Sequence, residues 1–242
     1  MGRIPHPPPF HWWRTVFFLI PLISIYTIVL GALSLASSVV DHRGRFAHRC
    51  ARWWAQLILG TTGVRVHASG SGRLRKEASY VFASNHQSIY DIPIVFATIK
   101  RDLRIVAKAS LGHFPFLGWH LRLAGHVLVD RDRPGAGVLK RMQRLVADGA
   151  SVIVFPEGTR SIDAQVGRFK GGLFLMAIET RLPIVPVTIE GSRHVMKKGR
   201  LMVCPGEVTL TVHDPIPTEG LSRDDARALA ERVRAVVTGA VV

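Results

Sequence analysis

The sequence predicts an α/β domain, a mixed, largely parallel sheet covered by helices, preceded by an N-terminal membrane-associated helical segment. Three observations predict it. Apolar runs alternate with amphipathic stretches through most of the chain, the pattern of strands separated by helices. Several of those runs are continuously apolar rather than alternating, as in strands covered on both faces. Residues 15–40 form a stretch of 26 without a charge, more than the roughly 20 that cross a bilayer core of about 30 Å.

That stretch is the first element, a hydrophobic helix led in by the extended segment Pro5-His6-Pro7-Pro8-Pro9. Trp12-Trp13 before it and Trp53-Trp54 after it stand where interfacial aromatics sit. A cleavable signal peptide fits less well: the stretch exceeds a usual apolar core, and the cleavage-like Ala36-Ser37-Ser38 comes late. Arg43, Arg45, Arg49 and Arg52 follow the stretch, against Arg3 and Arg14 before it. The positive-inside rule then places the remainder on the cytoplasmic face. Residues 46–60 mix Phe46, Trp53, Trp54, Leu57, Ile58 and Leu59 with Arg49 and Arg52, the pattern of an interfacial helix. Both a spanning helix and a helical pair dipping into one leaflet, with Pro21 bending the first helix, fit these residues. Residues 1–60 therefore read as an anchor and residues 61–242 as the α/β domain.

Within the domain, strands are expected at 63–68, 80–84, 104–108, 126–129, 152–155, 185–190 and 208–213. Helices are expected at 92–99, 137–148, 172–180 and 222–237. The last opens with Ser222-x-x-Asp225, a capping pattern. No repeat recurs at a period of 20–50 residues. A chain of 242 residues supports one large domain, or a domain with an appendage. Its net charge of +15 attracts lipid headgroups, phosphorylated substrates or nucleic acid, although part of it is solvated surface. Cys50 and Cys204 form no disulfide framework or metal signature and read as reduced thiols. His113, His120 and His126 are spaced by seven and six, which fits no common ligand motif, so no metal is expected.

The chemistry-bearing segments begin with Asn85-His86-Gln87-Ser88-Ile89-Tyr90-Asp91, which follows the second strand. A carboxylate that accepts one imidazole N–H fixes the tautomer and stabilises the cation formed when the other nitrogen takes a proton. On one continuous helix, a five-residue offset leaves two side chains about 140° apart. The pair therefore works only with His86 in the turn and Asp91 on the first helical residues, before Pro93. Phe155-Pro156-Glu157-Gly158-Thr159-Arg160-Ser161 ends another strand in a polar turn, where Gly158 permits close backbone approach and Arg160 offers a phosphate-binding fork. A third cluster runs from Lys108, at a strand end, through Leu111, Pro115 and Gly118, to Asp130-Arg131. Its Phe114, Phe116, Leu117 and Trp119 read individually as core, and Arg131 equally as a surface ion-pair partner. Leu182-Pro183-Ile184-Val185-Pro186-Val187 reads as a strand with proline at its start.

Together, and in this order, these four clusters over roughly residues 60–195 resemble the 1-acylglycerol-3-phosphate acyltransferases of the glycerolphosphate acyltransferase superfamily. Asn-His-x-Ser-x-x-Asp, Lys-x-x-Leu-x-x-x-Pro-x-x-Gly and Phe-Pro-Glu-Gly-Thr-Arg-Ser are all complete, with Lys170-Gly171 downstream. The resemblance implies acyl transfer from acyl-CoA or acyl-carrier protein to the sn-2 hydroxyl of 1-acylglycerol 3-phosphate, giving phosphatidic acid. It implies His86 as general base and Asp91 as its orienter, with Lys108 and Arg160 on the acceptor's phosphate. Glu157, Gly158 and Thr159 would shape the acceptor site and supply oxyanion donors, and Asn85, Ser88 and Arg131 would support it. No acyl-enzyme and no cofactor beyond the co-substrate are implied; the partners are the bilayer, the lysophospholipid and the donor, not nucleic acid. Glycerol 3-phosphate or a lyso-aminolipid stay open as acceptors. A Ser-dependent lipid hydrolase is the reading from another class, but the chain has no Gly-x-Ser-x-Gly elbow. Ser88 suits a helix cap better. A nucleic-acid binder would interleave its arginines with aromatics, whereas Phe and Trp here fall mainly in apolar runs.

Overall fold

The computed structural model describes residues 9–41, 43–113, 117–129, 136–161 and 165–239. Helix α1 (Phe10–Arg14) passes through a π turn at Thr15–Leu19 into α2 (Ile20–Ser37), one continuous helix long and apolar enough to cross a membrane. Pro21 cannot donate to the carbonyl four residues back, and its ring crowds that turn. The wider π turn lies directly ahead of it. Leu19 and Ser34 are buried, while Phe17, Phe18, Ile25, Ile28, Val29 and Leu33 stay exposed. Bare apolar surface of that kind marks a membrane or partner interface.

After a short turn, α3 (Arg45–Thr62) returns along α2. Its Ala55, Ile58 and Leu59 join the same apolar cluster as the strands of the sheet. The helix expected at 46–60 thus packs one face onto the sheet's apolar cluster. The leading helix is tied to the body as well. Arg14 Nη2 donates to Thr62 O and Val203 O, both at 3.3 Å, and Val203 N–H donates to Thr15 Oγ1 at 2.9 Å.

The remaining elements are β1 (Val64–Ser69), β2 (Val81–Ser84), α4 (Asp91–Thr98), β3 (Leu103–Lys108), α5 (Leu117–Leu123), β4 (Val127–Val129) and α6 (Ala136–Ala147). After these come β5 (Ser151–Val154), α7 (Gly171–Glu179), β6 (Ile184–Glu190), α8 (Ser192–Val195), β7 (Gly206–Val212) and α9 (Ala226–Val237). The strands form one seven-stranded sheet in the order β1-β7-β6-β2-β5-β3-β4. Every pairing is parallel except β6 with β7, so β7 and β1 run against the other five. All seven expected strands are present. The Ser222–Asp225 capping box forms too, closing a 3₁₀ turn that leads into α9.

Alternate residues of β2, β5 and β6 feed two cores. Phe82, Ile153, Val185 and Val187 pack toward α3 and α4, whereas Val81, Ala83, Val152, Val154 and Ile184 pack toward α6, α7 and α9. Full burial of such side chains contributes about 1.5–3 kcal/mol each. It explains why the strands read as continuous apolar runs. The parallel set has a second consequence. The carboxyl ends of β2, β3, β5 and β6 share one edge of the sheet, where open α/β sheets bind their ligands.

Candidate active site

β2 is the central strand of the seven, between β6 and β5, and ends at Ser84, so the following loop emerges between those after β5 and β6. Asn85 fixes the exit. Its amide donates to Ile189 O and accepts Ile189 N–H, both at 2.8 Å, as a backbone unit of β6 would. His86 lies in the turn, and Asp91 is the first residue of α4, the arrangement that the five-residue spacing requires. His86 Nδ1 and Asp91 Oδ2 are 2.8 Å apart. A carboxylate only accepts, so Nδ1 carries the proton and Nε2 keeps its lone pair. The same Asp91 oxygen also accepts Gln87 N–H at 2.7 Å and Ser88 N–H at 2.9 Å. Three converging donors hold a fully buried carboxylate in one orientation. The imidazole stacks on Phe155, centroids 4.2 Å apart at 25°, and 16% of the side chain stays open to solvent.

Glu157 points at backbone rather than into open space. Its Oε1 accepts His86 N–H at 2.7 Å, and its Oε2 accepts Gly167 N–H at 2.9 Å. Burial raises its pKa, against these two bonds, which lower it. The carboxylate therefore clamps the His86 turn to the β5 loop, and Ser161 N–H adds a bond to His86 O at 2.9 Å. Gly158 adopts φ +76°, where a side chain is strained, and donates its N–H to Phe155 O at 3.1 Å. Of the three backbone donors at 157–159, that one is already engaged.

Thr159 and Arg160 are held from a neighbouring loop. Lys198 Nζ donates to Thr159 Oγ1 at 3.1 Å and to Arg160 O at 2.9 Å. Nothing in the pair Lys197-Lys198 marked it as part of the site; only the fold brings it across. The Arg160 side chain is half-buried, and Lys108 is exposed at the end of β3. Neither has a carboxylate partner among the described residues. Two strand spacings, about 10 Å, separate β3, which ends at Lys108, from β2. Arg131 lies outside the described residues, as do Phe114, Pro115 and Phe116. Gly118 answers to sterics: a Cβ there would stand 2.2 Å from Gly112 O. Trp119, expected in the core, is 56% exposed. It lies on α5, whose His120 Nδ1 is 3.3 Å from Ser34 Oγ of the apolar helix.

Ser88 is fully buried. Its Oγ donates to Met196 O at 2.8 Å and accepts Tyr90 N–H at 3.3 Å, ahead of α4 rather than at its cap. A hydroxyl so committed is no nucleophile. The arrangement offers instead one oriented base at the carboxyl edge of the sheet, with two cations, Lys108 and Arg160, that have no carboxylate partner among the described residues.

Comparison with known proteins places this geometry. The Acyltransferase family model matches residues 65–190, from β1 to the end of β6. A chloroplastic 1-acyl-sn-glycerol-3-phosphate acyltransferase of Brassica napus is 34% identical over 179 residues, 72% of this chain and 52% of its own length. The 1-acyl-sn-glycerol-3-phosphate acyltransferase alpha of Homo sapiens is 30% identical over 221 residues, 90% of this chain and 78% of its own. The chain thus spans about half of the plant relative and most of the human one. The crystal structure of the 1-acyl-sn-glycerophosphate acyltransferase PlsC from Thermotoga maritima superposes with a TM-score of 0.75 at 26% identity, covering 95% of this chain and 92% of that one.

Proposed function

Since the chain belongs to the acyltransferase family, we propose that it moves a fatty acyl group from a thioester, acyl-CoA or acyl-carrier protein, to the sn-2 hydroxyl of 1-acylglycerol 3-phosphate. The observation that carries the reading is the 2.8 Å contact between His86 and Asp91, set at the carboxyl edge of the sheet inside the matched segment. In this reading His86 Nε2 removes the proton of the acceptor hydroxyl as the oxygen attacks the thioester carbonyl. Asp91 stabilises the imidazolium that forms. The tetrahedral intermediate collapses with loss of the C–S bond, and the proton on Nε2 passes to the departing thiolate. One ester forms, one thioester breaks, and the enzyme is unchanged. A thioester is already activated, so neither an acyl-enzyme nor a cofactor is needed.

Lys108 and Arg160 are the proposed phosphate ligands, since both are cations on the same edge of the sheet without a carboxylate partner among the described residues. The backbone N–H groups of Glu157 and Thr159 are the candidates for the oxyanion. The helix Phe10–Ser37, with its bare apolar side, is the proposed membrane attachment. The arginines after it support a cytoplasmic face for the domain, where the lysolipid would arrive through the bilayer and the donor from solution. The test is transfer by detergent-solubilised protein from acyl-CoA to lysophosphatidate, beside His86→Ala. Loss of about 10²–10⁴-fold in kcat is expected for the base. Normal turnover by His86→Ala would sink the mechanism. Failure of the wild type on lysophosphatidate, with turnover of another lysolipid, would move the acceptor and keep the chemistry.

A further inference from the structure

Arg181 stands where the backbone calls for glycine. Three helices here end in the same pair of bonds, the Schellman reversal. After α5, Gly125 N–H reaches Arg122 O at 3.2 Å and His126 N–H reaches Leu121 O at 2.8 Å. After α6, Gly149 N–H reaches Val146 O and Ala150 N–H reaches Leu145 O, both at 2.9 Å. After α7, Arg181 N–H reaches Ile178 O and Leu182 N–H reaches Ala177 O, both at 3.0 Å. The residue at the reversal has φ +80° at Gly125 and +77° at Gly149. Arg181, at +52°, is the only non-glycine residue with positive φ among the described residues. An L side chain is strained there, and ending the helix does not require one.

The side chain does line something. Arg181, Arg73 and Arg75 border a cavity of about 240 Å³ that is backed by Tyr80. Tyr80 precedes β2 and Pro183 precedes β6, while Pro215 follows β7, which runs the opposite way. The cavity therefore opens on the edge of the sheet opposite to His86. Six residues at about 3.3 Å each separate Tyr80 from His86, about 20 Å. It is no part of the acyl-transfer site.

Its walls are fixed. Arg75 N–H donates to Tyr80 Oη at 3.0 Å, and Thr218 Oγ1 donates to Leu182 O at 3.1 Å. Arg101 lies 5.6 Å from the Tyr80 ring centroid and donates to Arg75 O at 2.6 Å. Its charge is lopsided. Arg73 pairs with Asp214 at 3.4 Å, while Arg75 and Arg181 have no carboxylate partner among the described residues. Glu219 is the single acidic side chain on the lining. Exposed guanidinium forks gathered around one concavity match the oxygens of a phosphate.

We propose that this cavity binds a phosphate-class anion, with Arg75 and Arg181 as its direct ligands. A soluble phosphorylated compound and a lipid headgroup both carry that chemistry. The site is independent of the acyl-transfer reading. The test titrates inorganic pyrophosphate into the full chain in detergent at about 0.1 M salt, following thermal melting of wild type, Arg181→Gly and Arg160→Ala. Half-saturation rises by about tenfold or more in Arg181→Gly. Without ligand, that variant melts at or above the wild-type temperature, because glycine relieves the strain. Arg160→Ala, on the opposite edge, keeps the Arg181-dependent response, whatever it loses of phosphate binding at the acyl-transfer site. A parallel titration with short-chain phosphatidate in mixed micelles identifies the source. Arg181 dependence with phosphatidate alone assigns a headgroup, and dependence with pyrophosphate a soluble compound. The site is overturned if Arg181→Gly titrates like the wild type with both probes. It is equally overturned if the wild type responds to neither, or if the response is lost in Arg160→Ala instead.

Discussion

Replacing Asp91 by asparagine separates the orienting role of the carboxylate from the integrity of the turn. Asp91 Oδ2 accepts His86 Nδ1, Gln87 N–H and Ser88 N–H at 2.7–2.9 Å, whereas Oδ1 is buried without a partner. Asparagine can satisfy the three donors only by turning its NH₂ into the Oδ1 position. That leaves a buried donor unpaired, at a cost of about 1–3 kcal/mol in stability. The larger loss is catalytic. As His86 takes its proton, a positive charge forms about 4 Å from the carboxylate centre, an interaction of about 4 kcal/mol at an effective dielectric of about 20. Removing it lowers kcat by about 10³-fold. The acceptor KM changes little, because Asp91 touches His86 and backbone rather than substrate. The assay is thiol release from acyl-CoA at saturating lysophosphatidate, run beside a thermal melt. A folded Asp91→Asn protein with kcat within about tenfold of wild type would refute the charge-stabilisation argument.

Three further outcomes follow from the same geometry. Ser88→Ala loses its bonds to Met196 and Tyr90 and with them about 1–3 kcal/mol of stability. It keeps substantial transfer activity; an inactive but folded Ser88→Ala protein would make Ser88 the nucleophile. Lys198→Met frees Thr159 and Arg160. The acceptor KM should rise about tenfold with kcat nearly unchanged and partial rescue by Lys198→Arg, whereas a pure kcat loss would contradict a positioning role. His48 reports on pH. Burial pushes its pKa from 6.5 down to about 4, opposed by the nearby Asp102. Between those values the unfolded chain binds a proton that the folded chain does not. Stability therefore falls on acidification through that window, by up to about 3 kcal/mol. Burial of His120 and His126 acts in the same direction. His48→Asn, whose Oδ1 can replace Nδ1 as the acceptor of Leu103 N–H, should flatten the urea midpoint between pH 4 and 6.5. Equal slopes in the two proteins would contradict this assignment.

Strands β2, β5 and most of β6 were legible because they are buried on both faces, so composition alone marks them, whereas β1 and β7 leave many residues exposed. The strand order was not legible, because nothing local tells β7 to insert antiparallel between β1 and β6. Short α5 and α8 were hidden, one inside an aromatic cluster read as core and the other in a basic loop. That α3 packs on the domain was not legible either, for a physical reason. The amphipathic pattern of α3 reports only that one face is covered, not whether lipid or protein covers it. At the site, His86 and Asp91 were readable because their pairing is local. Lys198 was not, because its bonds cross 39 and 38 residues. The Glu157 contacts were half-legible: the residue stood out, but its target, the backbone of His86 71 residues away, did not.

Those long separations have a consequence for how the protein comes into being. The His86 turn is held by Glu157 across 71 residues, by Ile189 across 104 and by Met196 across 108. Contacts of such high order form late, after the entropy of closing long loops has been met. A nascent or partly folded chain can therefore form the local His86–Asp91 pair without the framework that aims it. Competence for the proposed transfer arrives only with the last strands of the parallel set, so the framework of the site is completed late in synthesis.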